Sequence, residues 1–241
     1  MRVVVTGATG GIGRELVSAF VAAGAEVIAH GRDSDKLEDL AASFPAVATV
    51  CGELSTAQGR AEFADALKAA GGVDGLVNNA GTQTPVDARS PGAWSNFESE
   101  LCLNVHAPIH LIHLLLPALT ERRPTAPRAF IVNVTSGLAL APKAASAPYS
   151  ASKAALRSYS QGLRWQLRDS PVTVIEALPP LVKTAMTEGR NEDAMAPAEC
   201  ARQIVRGVRA DKTEIYIGKA KLLRVVMRVS PALGRRIMRD S

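Results

Sequence analysis

The sequence is poor in cysteine. Cys51, Cys102 and Cys200 are odd in number and far apart. That argues against a disulfide frame and a cysteine metal site, and suits a reducing, cytoplasmic compartment. No apolar run approaches the ~20 residues of a transmembrane helix. The opening MRVVVTGATG enters a strand at once and lacks the small-residue cleavage site of a signal peptide. There is no internal repeat, and no linker before about residue 218. With 47% of 241 residues hydrophobic, disorder is not expected.

The body also lacks an excess of positive charge. The chain has 28 basic and 23 acidic residues, a net of +5. Residues 219–241 hold seven of the basic groups (Lys219, Lys221, Arg224, Arg228, Arg235, Arg236, Arg239) against Asp240 alone, a net of +6. Residues 1–218 are left at −1. A nucleic-acid-binding body is therefore not expected.

What is present is alternation. Strand patterns at Arg2–Thr6, Glu26–His30, Ala46–Cys51 and Val73–Asn78 are separated by helical patterns. The first helix follows a glycine-rich turn and stops at Gly24; the others span Asp33–Ser43 and Ala57–Ala70. A long helix from about Ala93 to Glu121 comes next, then a strand at Arg128–Thr135. A helix at Tyr149–Arg168, a strand at Val172–Leu178, a loop at Pro179–Pro197, a helix at Ala198–Ala210 and a strand at Thr213–Gly218 follow. The pattern predicts an α/β domain over residues 1–218, a doubly wound parallel sheet with helices on both faces, Rossmann-type.

Three stretches carry chemistry. Tyr149 and Lys153 are four apart, so a helix puts them on one face. A lysine ammonium beside a phenol favours the phenolate, which suits proton exchange near neutral pH. Ser136 closes a strand thirteen residues earlier and can hydrogen-bond the same substrate oxygen. Thr6-Gly7-Ala8-Thr9-Gly10-Gly11-Ile12-Gly13 is a strand, a glycine turn and a helix start, the context of a dinucleotide site. Gly7 permits the tight turn, while Gly11 and Gly13 allow close approach of a pyrophosphate and close helix packing. Helix-start N–H groups would then meet the anion. Asn78-Asn79-Ala80-Gly81 ends the fourth strand, where open α/β sheets bind ligands. Each stretch alone is also compatible with an ordinary turn or a surface pair.

Together, in this order and spacing, the TGATGGIG turn, the NNAG turn, Asn104, Ser136 and Tyr149-x-x-x-Lys153 resemble the short-chain dehydrogenase/reductase family in its single-domain form. The resemblance implies an NAD(P)-dependent oxidoreductase acting on a small-molecule carbonyl or alcohol. It implies that Tyr149 exchanges the proton, Ser136 holds the oxygen, and Lys153 binds the nicotinamide ribose. It gives Asn104 a water in a proton relay and a distorted long helix. It assigns cofactor contacts to Thr6, Gly7, Thr9, Gly11, Ile12, Gly13, Asn79, Ala80 and Gly81. Glu53 and Leu54 stand where an aspartate usually meets the adenine amino group. Pro179, Val182 and Thr184 match the nicotinamide loop, with Pro180 in place of the usual glycine, which removes an N–H. Homodimers or homotetramers are implied as well.

Cofactor choice rests on His30-Gly31-Arg32. No acid stands there to bind a ribose 2′-hydroxyl, and Arg32 can pair with a 2′-phosphate. NADP(H) is favoured and NAD(H) stays open, since Arg32 can also stack on adenine or point to solvent. Leu138, Leu140, Val182 and Met186 are expected beside a fairly apolar pocket. His106, His110 and His113 share a helical face, where a polar or interfacial stripe fits better than a metal site. Pro231 splits the basic tail into two short amphipathic helices that suit a membrane surface, the body or a partner subunit. The Pro179-Pro180 pair and this tail resemble a bacterial branch encoded beside teichoic-acid D-alanylation genes. The rival reading is a non-catalytic NAD(P)-binding regulator or a membrane-surface protein.

Overall fold

The computed structural model describes residues 1–85, 87–121, 128–189 and 193–239. Seven strands form one parallel sheet: β1 Arg2–Val5, β2 Glu26–Gly31, β3 Ala48–Cys51, β4 Gly75–Asn78, β5 Ala129–Val134, β6 Val172–Leu178 and β7 Glu214–Tyr216. Their order is β3-β2-β1-β4-β5-β6-β7. Val3, Val4 and Val5 of β1 pair with Val27, Ile28 and Ala29 on one side and with Gly75, Leu76 and Val77 on the other.

Side chains alternate across a strand, and here both faces are covered. Val3 and Val5 point into one apolar layer with Leu16, Phe20 and Ile204. Val4 points into the other with Leu67, Leu76, Leu111 and Ile131. The first layer is covered by α1 (Gly11–Ala22), α2 (Ser34–Ser43) and α7 (Pro197–Arg209). The second is covered by α3 (Ala57–Ala69), α5 (Ala107–Thr120) and α6 (Ala147–Gln166). This explains the runs of branched apolar residues in the strands, which have no polar face.

The long helix is not uniform. α4 (Ala93–Leu101) joins α5 through a wide π turn at Cys102–His106, closed by Ala107 N–H to Cys102 O. The distortion expected at Asn104 is therefore present, and such turns tend to mark functional positions. The combined helix Ala93–Thr120 is long and apolar enough to cross a membrane by length and composition. Its apolar character has another origin: Leu111, Ile112, Leu115 and Leu119 are buried against the sheet.

The loop after β6 contains a short 3-10 turn at Ala185–Thr187 and a bridge between Val182 and Met195. Residues 190–192 of that loop, and Asp240 and Ser241 of the tail, lie outside the described residues. The tail forms α8 (Ala220–Val229) and α9 (Pro231–Arg239), split at Pro231. A Cβ on Gly234 would meet Met227 Sδ at 2.3 Å, so the missing side chain lets the two helices touch.

Candidate active site

Strand order reverses beside β1, so the crevice beyond the ends of β1 and β4 is where an open α/β sheet takes ligands. Both glycine turns lie there. Gly7 has φ +63°, and a Cβ on it would meet Ala80 Cα at 2.8 Å. Gly13 is tighter still: its Cβ would lie 2.0 Å from Gly7 O. Gly11, at φ +54°, faces Thr184 Cγ2 at 2.9 Å by the same measure, and Thr9 sits against Gly31 at 2.6 Å. The turn thus meets β4, β2 and the loop after β6.

These residues fit a dinucleotide on one physical point. α2 and α3 are capped by the side chains of Asp33 and Thr56. The start of α1 has no side-chain cap and no acid in its first turn, and nothing lies within 4 Å of a Cβ on Gly10. The first turn of α1 carries the positive end of the helix and suits a phosphate.

Several residues assigned to the cofactor have other partners. Thr6 is buried; its hydroxyl donates to Val77 O and accepts from Asn79 and Ala80 N–H. Asn79 Nδ2 donates to Thr6 O and Gly7 O at 3.0 and 3.2 Å. Both brace the two turns from beneath. Leu54, three residues beyond the end of β3, is buried in the core with Phe63 and Leu67 of α3. Glu53 is exposed, and its carboxylate accepts from Ser55 N–H at 2.7 Å, which holds its pKa down. Val182 packs in the core with Cys200 and Ile204, so the expectation that it lines an apolar pocket is corrected. Its carbonyl accepts from Thr187 at 2.5 Å, and the adjoining bridge uses Lys183 and Met195 N–H. Pro179 O accepts from Gly137 N–H at 2.9 Å, tying the loop after β6 to the turn beyond Ser136. Ile12 packs against the core, and Arg32 is exposed beside Glu53.

The four residues expected to be catalytic come together beyond β5. Tyr149 and Lys153 share a face of α6, with Lys153 Nζ 5.6 Å from the Tyr149 ring centre. Nζ donates to Val134 O at 2.9 Å, two residues before Ser136. Ser136 Oγ accepts from Leu138 N–H at 3.1 Å and caps the short turn that follows, which packs on α6. Lys153 is buried, and that burial pulls its ammonium down to about 8, while the charge of Glu100 pulls it back up. Asn104 is fully buried; its amide clamps Thr82 by two bonds of 2.9 Å and reaches Ser152 Oγ at 3.1 Å. A Cβ on Gly81 would lie 2.9 Å from Asn104 Oδ1 and 3.5 Å from Lys153 Nζ, so Gly81 leaves room between them.

Two features escaped the sequence reading. Glu100, one turn before Asn104, is 1% exposed; it accepts from Thr84 N–H, and its Oε2 has no hydrogen-bond partner among the described residues. Burial raises its pKa. Its place one helical turn before Asn104 was the available signal. The second is a cleft of about 1000 Å³ between Trp94 and Phe97 of α4 and Ala147, Pro148 and Ala151 at the start of α6, the helix that carries Tyr149. Small residues facing an i, i+3 aromatic pair hint at it only once α4 and α6 are known to touch. Among the described residues no group of three or more His, Cys, Asp or Glu could hold a metal. His110 Nδ1 instead accepts from buried Arg60 at 3.0 Å.

Fold and site define a dinucleotide-type α/β domain with a Tyr–Lys pair at the strand ends. The family described as short chain dehydrogenase matches residues 1–195. An uncharacterized oxidoreductase of Bacillus subtilis, DltE, is 37% identical over 231 residues, covering 92% of this chain and 90% of that one. It fits the branch suggested by Pro179-Pro180 and the tail. The NADP-dependent 3-hydroxy acid dehydrogenase YdfG of Salmonella typhi is 32% identical over 184 residues, 76% of this chain and 73% of that one. A short chain dehydrogenase from Burkholderia cenocepacia, solved with NADP, superposes with TM-score 0.86 at 27% identity, covering 98% and 97%. The chain belongs to the short-chain dehydrogenase/reductase family and is an oxidoreductase.

Proposed function

We propose that the protein is an NADP(H)-dependent carbonyl reductase or alcohol dehydrogenase with Tyr149 as its acid and base, and that NAD(H) is the weaker cofactor. The observation that carries this reading is the Tyr149–Lys153 pair, set on one helix face beside Ser136 and above the two glycine turns. A nicotinamide dinucleotide, when bound, supplies or accepts the hydride.

The chain's own residues do the rest. The open start of α1 seats the pyrophosphate. Arg32 meets the 2′-phosphate, as charge and exposure allow. Ser136 Oγ keeps its hydrogen for a substrate oxygen while it accepts from Leu138 N–H. Tyr149 gives that oxygen its proton in reduction and takes it in oxidation. Lys153, a buried cation at neutral pH, stabilises the phenolate left behind. Asn104 holds the Thr82 backbone, and through it the wall opposite Lys153. The NADP complex of the 27% identical dehydrogenase and the NADP-dependent relative support the cofactor choice.

The apolar cleft suits a medium-sized, fairly apolar substrate. The exposed faces of α5, of the π turn before it and of α6, with His113, His106 and Trp165, suit a homodimer or homotetramer. The test follows absorbance at 340 nm with NADPH and NADH over ketones, aldehydes and quinones. Oxidation by the wild type and none by Tyr149→Phe is expected. Equal rates in both proteins would remove Tyr149 from the reaction.

A further inference from the structure

α8 divides its residues between the body and solvent. On the inner side Ala220 is buried, and a Cβ on Gly137 would lie 3.7 Å from Leu223 Cδ2. Arg224 stacks over Tyr216 at 4.3 Å and pairs with Glu214 at 3.7 Å. Glu214 also pairs with Arg157, Arg157 holds buried Glu176 at 2.6 Å, and Glu176 accepts from Thr135. Thr135 precedes Ser136, so the helix is anchored beside the turn that carries the catalytic serine.

The outer side is apolar and cationic together. Leu222, Val225 and Val229 are exposed on α8, and Leu233 and Ile237 on α9. These are five of the ten exposed large hydrophobic side chains among the described residues, which is far more than a segment this short should carry by chance. Positions 222, 225 and 229 fall on one helix face, and so do 233 and 237. Lys221, Arg228, Arg235 and Arg236 are exposed around them, and no carboxylate among the described residues pairs with these four. A patch of this kind in a soluble fold marks an interaction surface.

Charge selects the partner. A second copy docking through the same face would set one +6 segment against another, and the body at −1 attracts the tail weakly. A nucleic acid would satisfy the cations and leave the aliphatic side chains in water. An anionic lipid layer satisfies both, with cations at the headgroups and aliphatic chains below them.

We propose that the outer face of α8 and α9 docks the protein on an anionic lipid surface. The face is held by Leu222, Val225, Val229, Leu233 and Ile237 and by the cations between them. The docked helix is the one that buttresses the turn after Ser136, so a bound membrane and the catalytic crevice share one rigid support.

The full chain is floated with vesicles of phosphatidylcholine alone and of phosphatidylcholine mixed with phosphatidylglycerol, at low and at high salt. Binding to the anionic vesicles is expected to be at least about tenfold tighter at low salt, with the preference fading as salt rises. Val225→Asn with Val229→Asn, and separately Arg228→Gln with Arg235→Gln, should each weaken it at least about tenfold at unchanged melting temperature. Equal or absent binding to the two vesicle types overturns the proposal, as does anionic binding that survives both variant pairs. So does a tail variant that turns an oligomer into a monomer in sedimentation and leaves vesicle binding untouched, which would make the face a contact between copies.

Discussion

Replacing Lys153 by Met should stabilise the protein while abolishing its activity. Burial pulls the ammonium from 10.5 down to about 8. At roughly 1.4 kcal/mol per pH unit, holding it charged costs about 3 kcal/mol at neutral pH, and the attraction of Glu100 is already inside that net figure. Met keeps the length of the stem and removes the charge. The change also strips Val134 O of its donor, worth about 1–2 kcal/mol. The expected net gain is about 1–2 kcal/mol, a rise of roughly 2–8 °C in melting temperature for a chain of this size. The pH dependence has a definite sign. Between about pH 8 and 10.5 the unfolded chain still binds the proton and the folded one does not, so wild-type stability rises through that window. The variant lacks this term, and its advantage should close by about pH 10. Equilibrium urea unfolding of both proteins at the two pH values is the assay. A variant less stable than wild type near neutral pH, or a gap indifferent to pH, would refute the reasoning.

Other positions test other links. Gly13→Ala places a Cβ 2.0 Å from Gly7 O, a backbone atom that can yield only if the turn moves. It should cost at least about 2 kcal/mol and remove dinucleotide binding; fluorescence titration with unchanged affinity would count against the assigned seat. Arg157→Met strands the fully buried Glu176 carboxylate and should destabilise by about 3–5 kcal/mol, with Glu176→Leu in the same chain recovering most of it. Arg32→Ala should cut the NADPH-to-NADH ratio of kcat/KM about tenfold, and an unchanged ratio would free Arg32 of the 2′-phosphate.

The parts legible in the sequence were those encoded by spacing within one element. Strand and helix alternation needs only local pattern, and the Tyr149–Lys153 pair needs only that four residues span a helical turn. The glycine turn is legible because Gly7 and Gly11 occupy backbone conformations that other residues avoid. Side-chain direction at element ends is a different matter. Thr6, Leu54 and Val182 lie near the crevice in sequence, yet their side chains turn inward, a choice made by the layers packed beneath them. The cleft between α4 and α6 joins segments about 50 residues apart, and Glu100 acquires meaning only when Lys153 comes near it. Neither exists before the chain folds.

The most direct test of the central claim uses NADPH carrying deuterium at the transferable position and an apolar ketone that the wild type turns over. Mass spectrometry should find one deuterium at the carbinol carbon of the product from wild type, and no labelled product from Tyr149→Phe that still binds NADPH. An alcohol without the label, or label transferred equally well by Tyr149→Phe, would contradict the account.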